Sequence, residues 1–170
     1  TCEKTKQNYK DTYPDLNPDF IFAFPAFNVR NTEIGAIIGR NQLKRLDSNN
    51  KLRTKNLEIF LNNLDPTKFR TDFKIEGSSN YAFNLILKEP NTELNERLMK
   101  EMKAEKIEFR RGSAGGGNQL RQPYMRNLLG DHYKNFPEVN HIHFYGFYIG
   151  NFPSLNPEKV LRLCSVLNSC

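Results

Sequence analysis

Two neighbouring stretches limit what this chain can become. From Ser48 to Asp65, apolar residues recur as Leu57, Phe60, Leu61 and Leu64, the i, i+3, i+4, i+7 spacing of a helix with one buried face. Ser48 or Asn49 can cap it, and Asp65-Pro66 stops it, because the residue before a proline is pushed out of the helical region. After a linker over Thr67–Ser79, YAFNLILK (Tyr81–Lys88) reads as a strand rich in aromatic and aliphatic residues. A helix with one apolar face beside an apolar strand needs a layered partner.

The rest of the chain supplies that partner. Pro90-Asn91-Thr92 opens a helix, with Glu93 and Glu96 in its first turn and Leu94, Leu98 and Met102 facing inward. Ile107–Arg110 reads as a short strand and His143–Ile149 as another, while Tyr124–Leu129 forms a helical turn ended by Gly130. Asn156-Pro157-Glu158 gives a cap, a proline at the first helical position and an acid, and Val160, Leu163, Cys164 and Leu167 make the stripe behind them. The expected fold is α+β: a small domain with a short three-stranded sheet and helices on one face.

The segment Phe24–Asp47, FPAFNVRNTEIGAIIGRNQLKRLD, carries a third helix after an irregular lead-in. Asn31 or Thr32 can cap it, since a short side-chain oxygen accepts from the unpaired N–H groups of a first turn. Ile34, Ile37 and Ile38 lie on one stripe, so packing should hold this helix. Gly35 and Gly39 each weaken a helix by roughly 1 kcal/mol against alanine, which suggests a close approach to its backbone. Asn28 and Arg30 sit just before the helix start, where free N–H groups and the helix dipole favour an anion. The same pair also suits a turn residue and a solvated surface arginine.

Charge is +6 at a pI near 9.2, which suits anionic partners such as nucleotides, nucleic acid or acidic lipid. The basic residues are scattered, however, and the aromatics fall inside apolar strand and helix patterns rather than along a basic stripe, which argues against nucleic acid. The three cysteines, Cys2, Cys164 and Cys170, have no metal spacing and fit reduced thiols in a cytoplasmic protein. No run reaches the roughly 18 apolar residues of a membrane span, and no signal peptide is visible. Residues 1–19 are polar, with Pro14 and Pro18, and read as a loop or connecting segment. Residues 20–170 form the domain proper.

Chemistry concentrates in one loop. Gly112–Gln122 follows Arg110 and Arg111, and its consecutive glycines let backbone N–H groups approach a ligand while the arginines can pair with phosphate. It is neither a Walker loop nor a dinucleotide fingerprint, and a plain surface loop fits equally well. His141 and His143 would share one face of a strand, but no third ligand is suitably spaced for a metal. No nucleophile–histidine arrangement and no carboxylate pair stands out.

FNVRNTEIGAIIGRNQLKRLD resembles the GYNxR-T-E-x-x-A-x-x-G-x-x-QL-x-x-LD segment of the DegT/StrS-type sugar aminotransferases, which are pyridoxal-phosphate enzymes of fold type I. EGSSNYAFNLIL, IEFRRGSAGGGNQLRQPY and GFYIGNFP resemble the branch that removes the 3-hydroxyl of nucleotide-linked 4-keto-6-deoxyhexoses in lipopolysaccharide and deoxysugar biosynthesis. The likeness runs from Phe20 onward. It implies the C-terminal small domain of such an enzyme, with pyridoxal or pyridoxamine 5′-phosphate bound mainly by a large domain that would precede residue 1. No catalytic residue is then expected here, and the 170 residues alone should be inactive.

By position, the resemblance assigns Asn28 and Arg30 to the cofactor phosphate of a partner subunit, so a homodimer is expected. It assigns Arg110, Gly117 and Asn118, with Gly150 and Asn151, to the sugar-nucleotide site. Three positions depart from the family: Ala26 and Phe27 replace glycine and tyrosine, and Phe152 stands where a histidine is common. A sugar-nucleotide 4-aminotransferase of the same family is the alternative activity. A nucleotide-binding module without catalysis and a purely structural dimerisation domain are the alternatives outside it.

Overall fold

The computed structural model describes residues 3–12, 31–111, 117–121 and 123–170. Clustering of the backbone divides the chain into two units, Thr1–Asn41 and Gln42–Cys170.

In the first unit, α1 (Glu3–Thr12) is a helix where a polar loop was expected. Its sequence, EKTKQNYKDT, has no apolar stripe, and the helix is supported locally. Gln7 donates to Asp11 at 2.8 Å, and the Thr12 hydroxyl donates to the Asn8 carbonyl at 2.7 Å. Helix α2 (Glu33–Leu43) is capped by Thr32, whose hydroxyl accepts from the Gly35 N–H at 3.2 Å. Two expectations fail on it. None of its residues is buried: Ile34 is 72% exposed and Ile37 68%, so packing among the described residues of this unit does not hold it. The close approach at Gly35 comes from the chain's own Asn31 side chain, and nothing stands within 4 Å of a Cβ at Gly39. The helix also ends earlier than the Asp47 expected, at a turn over Lys44 and Arg45.

The second unit is built on α3 (Leu46–Asn63), β1 (Ala82–Ile86), α4 (Thr92–Ala104), β2 (Phe109–Arg111), α5 (Pro123–Leu129), α6 (Pro137–Tyr145), β3 (Gly146–Gly150) and α7 (Pro157–Ser169). The strands form one antiparallel sheet in the order β1-β3-β2. Phe83 and Leu85 of β1 and Phe147 and Ile149 of β3 point into the core, against Leu57 and Phe60 of α3, Leu98 and Met102 of α4, and Val160 and Cys164 of α7. Phe60 stacks on Phe83 with ring centres 4.6 Å apart. Alternation then sends Asn84, Tyr148 and Arg110 to the other face, where they are register partners in one cross-strand row.

The helix ends follow elementary capping. Asn91 accepts from the Leu94 N–H at 2.9 Å, and Asn156 accepts from the Glu158 N–H at 2.9 Å ahead of Pro157. Gly130, at φ +57°, follows the last residue of α5. Helix α3 has no side-chain cap: it starts at Leu46, so Ser48 and Asn49 lie inside it. The Thr67–Ser79 linker is more ordered than expected. Its Phe69 is fully buried and bridges Leu87, extending the β1 edge.

The largest correction concerns residues 137–145. His143 to Tyr145 belong to α6 rather than to the strand, which begins at Gly146. Pro137 at the first position and Glu138 in the first turn are start signals of the kind that marked α7. His141 and His143 therefore do not share a strand face. Among the described residues, no helix is long and apolar enough to cross a membrane.

Candidate functional site

β1 and β2 begin, and β3 finishes, at the same end of the sheet, because both outer strands run antiparallel to the middle one. A groove of about 830 Å³ opens there. Arg110, Tyr148, Gly150, Tyr81, Phe152 and Lys106 line it, with Lys159 from the first turn of α7. Arg110 is exposed, and its guanidinium carbon lies 5.7 Å from the centre of the Tyr148 ring. Tyr81 meets the same ring edge-on at 6.1 Å. Tyr81 is 60% exposed and Phe152 50%. Aromatic faces together with one arginine and two lysines suit a ligand that combines planar or sugar surface with negative charge.

Of the residues singled out from sequence, Arg110 and Gly150 meet in this groove. Asn151 lies directly behind it and is 1% exposed. Its amide donates to the carbonyls of Arg53 and Asn80 at 3.0 and 2.9 Å, and its oxygen accepts from Asn56 at 3.1 Å. Its hydrogen-bonding groups are thus spent inside the protein.

Gly117 and Asn118 are not among the groove's lining residues; Asn118 is tied to α6. Gly117 takes φ +84°, a left-handed conformation that favours glycine. Asn118 is 2% exposed: its backbone N–H donates to His143 Nδ1 at 3.1 Å and its amide to Asn140 Oδ1 at 2.9 Å. Arg121 donates through Nε to the same Asn140 oxygen at 2.7 Å. Its guanidinium stands over two rings, 4.1 Å from that of Tyr133 and 4.7 Å from that of Phe144. Burial, together with the charges of Arg121 and Arg111, holds the His143 imidazole below its ordinary pKa, which keeps Nδ1 free to accept. His141 is also occupied, with Nε2 2.6 Å from the Leu87 carbonyl.

Asn28 and Arg30 lie outside the described residues, as do residues 112–116 of the glycine loop. Sequence reasoning passed over Tyr148, Asn56, Asn140 and Arg121. For Tyr148 the signal was present, since alternation in GFYIG turns it away from Phe147 and Ile149.

The GDP-4-keto-6-deoxy-D-mannose 3-dehydratase of Yersinia pseudotuberculosis is 27% identical over 152 residues, covering 87% of this chain and 38% of the relative. The enzyme of the same name from Escherichia coli O55:H7 is 30% identical over 92 residues, 54% of this chain and 24% of the relative. The chain thus spans less than two-fifths of the length of the curated relatives it matches. Among solved structures, a GDP-4-keto-6-deoxymannose-3-dehydratase with a trapped PLP-glutamate geminal diamine superposes with a TM-score of 0.69 at 25% identity, over 88% of this chain and 39% of that one. A putative sugar aminotransferase from Streptococcus pneumoniae in its PMP form shares the fold, with a TM-score of 0.71 at 17% identity over 86% of this chain and 37% of that one. The family model of the DegT/DnrJ/EryC1/StrS aminotransferases matches residues 2–168, and the chain belongs to that family.

Proposed function

We propose that this chain acts as the C-terminal small domain, residues 20–170 after a connecting segment, of a vitamin-B6-dependent enzyme. In this reading the enzyme removes the 3-hydroxyl of a nucleotide-linked 4-keto-6-deoxyhexose. The observation that carries it is the groove at the sheet end, where Arg110 and Gly150 meet aromatic walls in a chain whose relatives bear that activity. The structure of a GDP-4-keto-6-deoxymannose-3-dehydratase variant, similar to this chain at 25% identity, contains GDP-perosamine, a sugar nucleotide of the size and charge such a groove suits.

Pyridoxal or pyridoxamine phosphate, when bound, supplies the electron sink for loss of the 3-hydroxyl. Among the described residues the chain offers that group no complete seat. The Thr32 hydroxyl at the start of α2 already accepts from Gly35. Asn28 and Arg30 are proposed to reach the cofactor phosphate of a partner subunit, and the remaining contacts would come from a preceding large domain. This chain's own part is to bind and orient substrate. Arg110 neutralises phosphate charge, Tyr81, Tyr148 and Phe152 cover apolar ring faces, and Asn118 and Gly117 fix the root of the glycine loop. Asn151 acts by holding Gly150 in place. The reading carries with it a homodimer, a cytoplasmic location and a place in lipopolysaccharide or deoxysugar biosynthesis.

The test is turnover of GDP-4-keto-6-deoxymannose by the cofactor-loaded enzyme containing this chain. A product lacking the 3-hydroxyl supports the reading, and no reaction refutes it. A product with an amine at C4 supports the second reading, a sugar-nucleotide 4-aminotransferase, whose fold the Streptococcus neighbour shares. The 170 residues alone should show neither turnover nor the yellow absorbance of bound cofactor.

A further inference from the structure

The geometry points to Asn56 as a positioning residue for substrate binding, acting through Asn151 on the walls of the groove; this rests on the function proposed above. Asn56 lies in the middle of α3 and is 3% exposed, an uncommon place for a carboxamide. Its amide nitrogen donates to Asn151 Oδ1 at 3.1 Å and reaches the Phe152 carbonyl at 3.4 Å.

The orientation of both amides is forced. Asn151 Nδ2 faces two backbone carbonyls, those of Arg53 and Asn80, and carbonyls only accept. Asn151 must therefore turn its oxygen toward α3, and the residue there must donate. Asn56 does so, and no other side chain donates to that oxygen among the described residues. The Asn151 backbone N–H closes the arrangement on the Tyr81 carbonyl at 2.8 Å.

What the pair holds is the groove. Gly150 and Phe152 flank Asn151 on one side, and Tyr81 follows Asn80 on the other; all three line the cavity. No other polar side chain of α3 reaches the Gly150–Phe152 turn among the described residues. The Asn56 donor thus completes an anchorage that Asn151 also makes to the carbonyls of Arg53, Asn80 and Tyr81. Loss of the Asn56 donor leaves a buried carbonyl unpaired and lets the Phe152 wall drift. Neither residue touches the reacting carbons in this reading, so the effect should fall on binding rather than on the chemical step.

Steady-state kinetics on the cofactor-loaded enzyme with GDP-4-keto-6-deoxymannose test this. Asn56→Ala should raise KM about fivefold or more while kcat stays within about twofold. Asn56→Asp keeps the shape. Protonated, it can donate to Asn151; ionised, it cannot. Its KM should therefore climb relative to the wild type as the carboxyl ionises, a step that burial moves above the ordinary value of about 4 and the neighbouring Arg53 moves back toward it. Wild-type KM values in both variants overturn the inference. So does a loss of kcat that merely tracks the folded fraction, measured by near-UV circular dichroism, with KM unchanged. Failure of both variants to fold also overturns it, since the pair then serves the fold alone. If the wild type turns over no sugar nucleotide, the proposed function itself fails, and that result is separate from an active wild type with indifferent variants.

Discussion

The guanidinium of Arg110 lies over the ring of Tyr148, its register partner on β3, with the guanidinium carbon 5.7 Å from the ring centre. The ring orients a charged fork that is otherwise exposed, so it meets an anion with less freedom to lose. Arg110→Ala should weaken sugar-nucleotide binding about tenfold or more, close to 1.4 kcal/mol, when measured by calorimetry. Arg110→Lys should recover only part of this, because a lysine neither stacks flat nor pairs in a bidentate way. Folding stability should move by no more than about 0.5 kcal/mol, as expected for a surface position.

His143 should make the second unit lose stability in mild acid. Its folded pKa lies below the ordinary 6.5, chiefly through burial and then through Arg121 and Arg111. The unfolded chain therefore binds more protons between the lowered value and 6.5. The contribution of the neutral ring is complete above about 6.5 and is lost as pH falls toward the folded pKa. Protonation also turns Nδ1 into a donor facing the Asn118 N–H. Thermal melts from about pH 7.5 down to pH 5 should show a steeper loss in the wild type than in His143→Gln.

Cys164 should be chemically silent in the native protein. It is 1% exposed, and burial pushes its thiol up to about 11. At pH 8 roughly one molecule in a thousand would carry the thiolate that alkylating reagents need. Cys170 is also buried and raised, by burial first and by Glu101 second. Mass mapping after iodoacetamide should find both unmodified in buffer and both modified in guanidinium chloride.

Lys106 is the described non-glycine residue with positive φ, at +57°, where the chain leaves α4. The Ile107 N–H reaches back to the Met102 carbonyl at 2.8 Å, and the left-handed residue lets that turn close. Lys106→Gly should stabilise the domain by about 0.5–1 kcal/mol in urea titrations, since a side chain pays for this conformation and glycine does not. Lys106 also lines the groove, so the same variant should bind sugar nucleotides more weakly while melting later.

The elements legible in the sequence are those in which local and tertiary preferences agree. Leu94, Leu98 and Met102 of α4, and Val160, Leu163, Cys164 and Leu167 of α7, were expected inside and are buried. YAFNLILK became the strand β1, trimmed at both ends. Reading failed where periods mislead. His143–Ile149 alternates well enough to suggest one strand, yet the end of a helix occupies its first three residues, because Pro137 and Glu138 set that helix's start several residues upstream. Ile34, Ile37 and Ile38 have a helix's spacing, but spacing does not say what covers them. Arg110 and Gly150, singled out from motif likeness, both line the groove. The burial of Asn118 and Asn151 could not be read from sequence, since a carboxamide's partners lie far away in sequence.

The junction between α6 and β3 has no connecting loop: Tyr145 ends the helix and Gly146 begins the strand. A methyl group at 146 would stand 2.5 Å from the Ile142 carbonyl oxygen, so the two are joined as tightly as the backbone permits. The tilt of the helix and the line of the strand cannot vary separately. Asn140 and His143, which hold Asn118, thus sit on one unbroken run of backbone with Tyr148 and Gly150 of the middle strand.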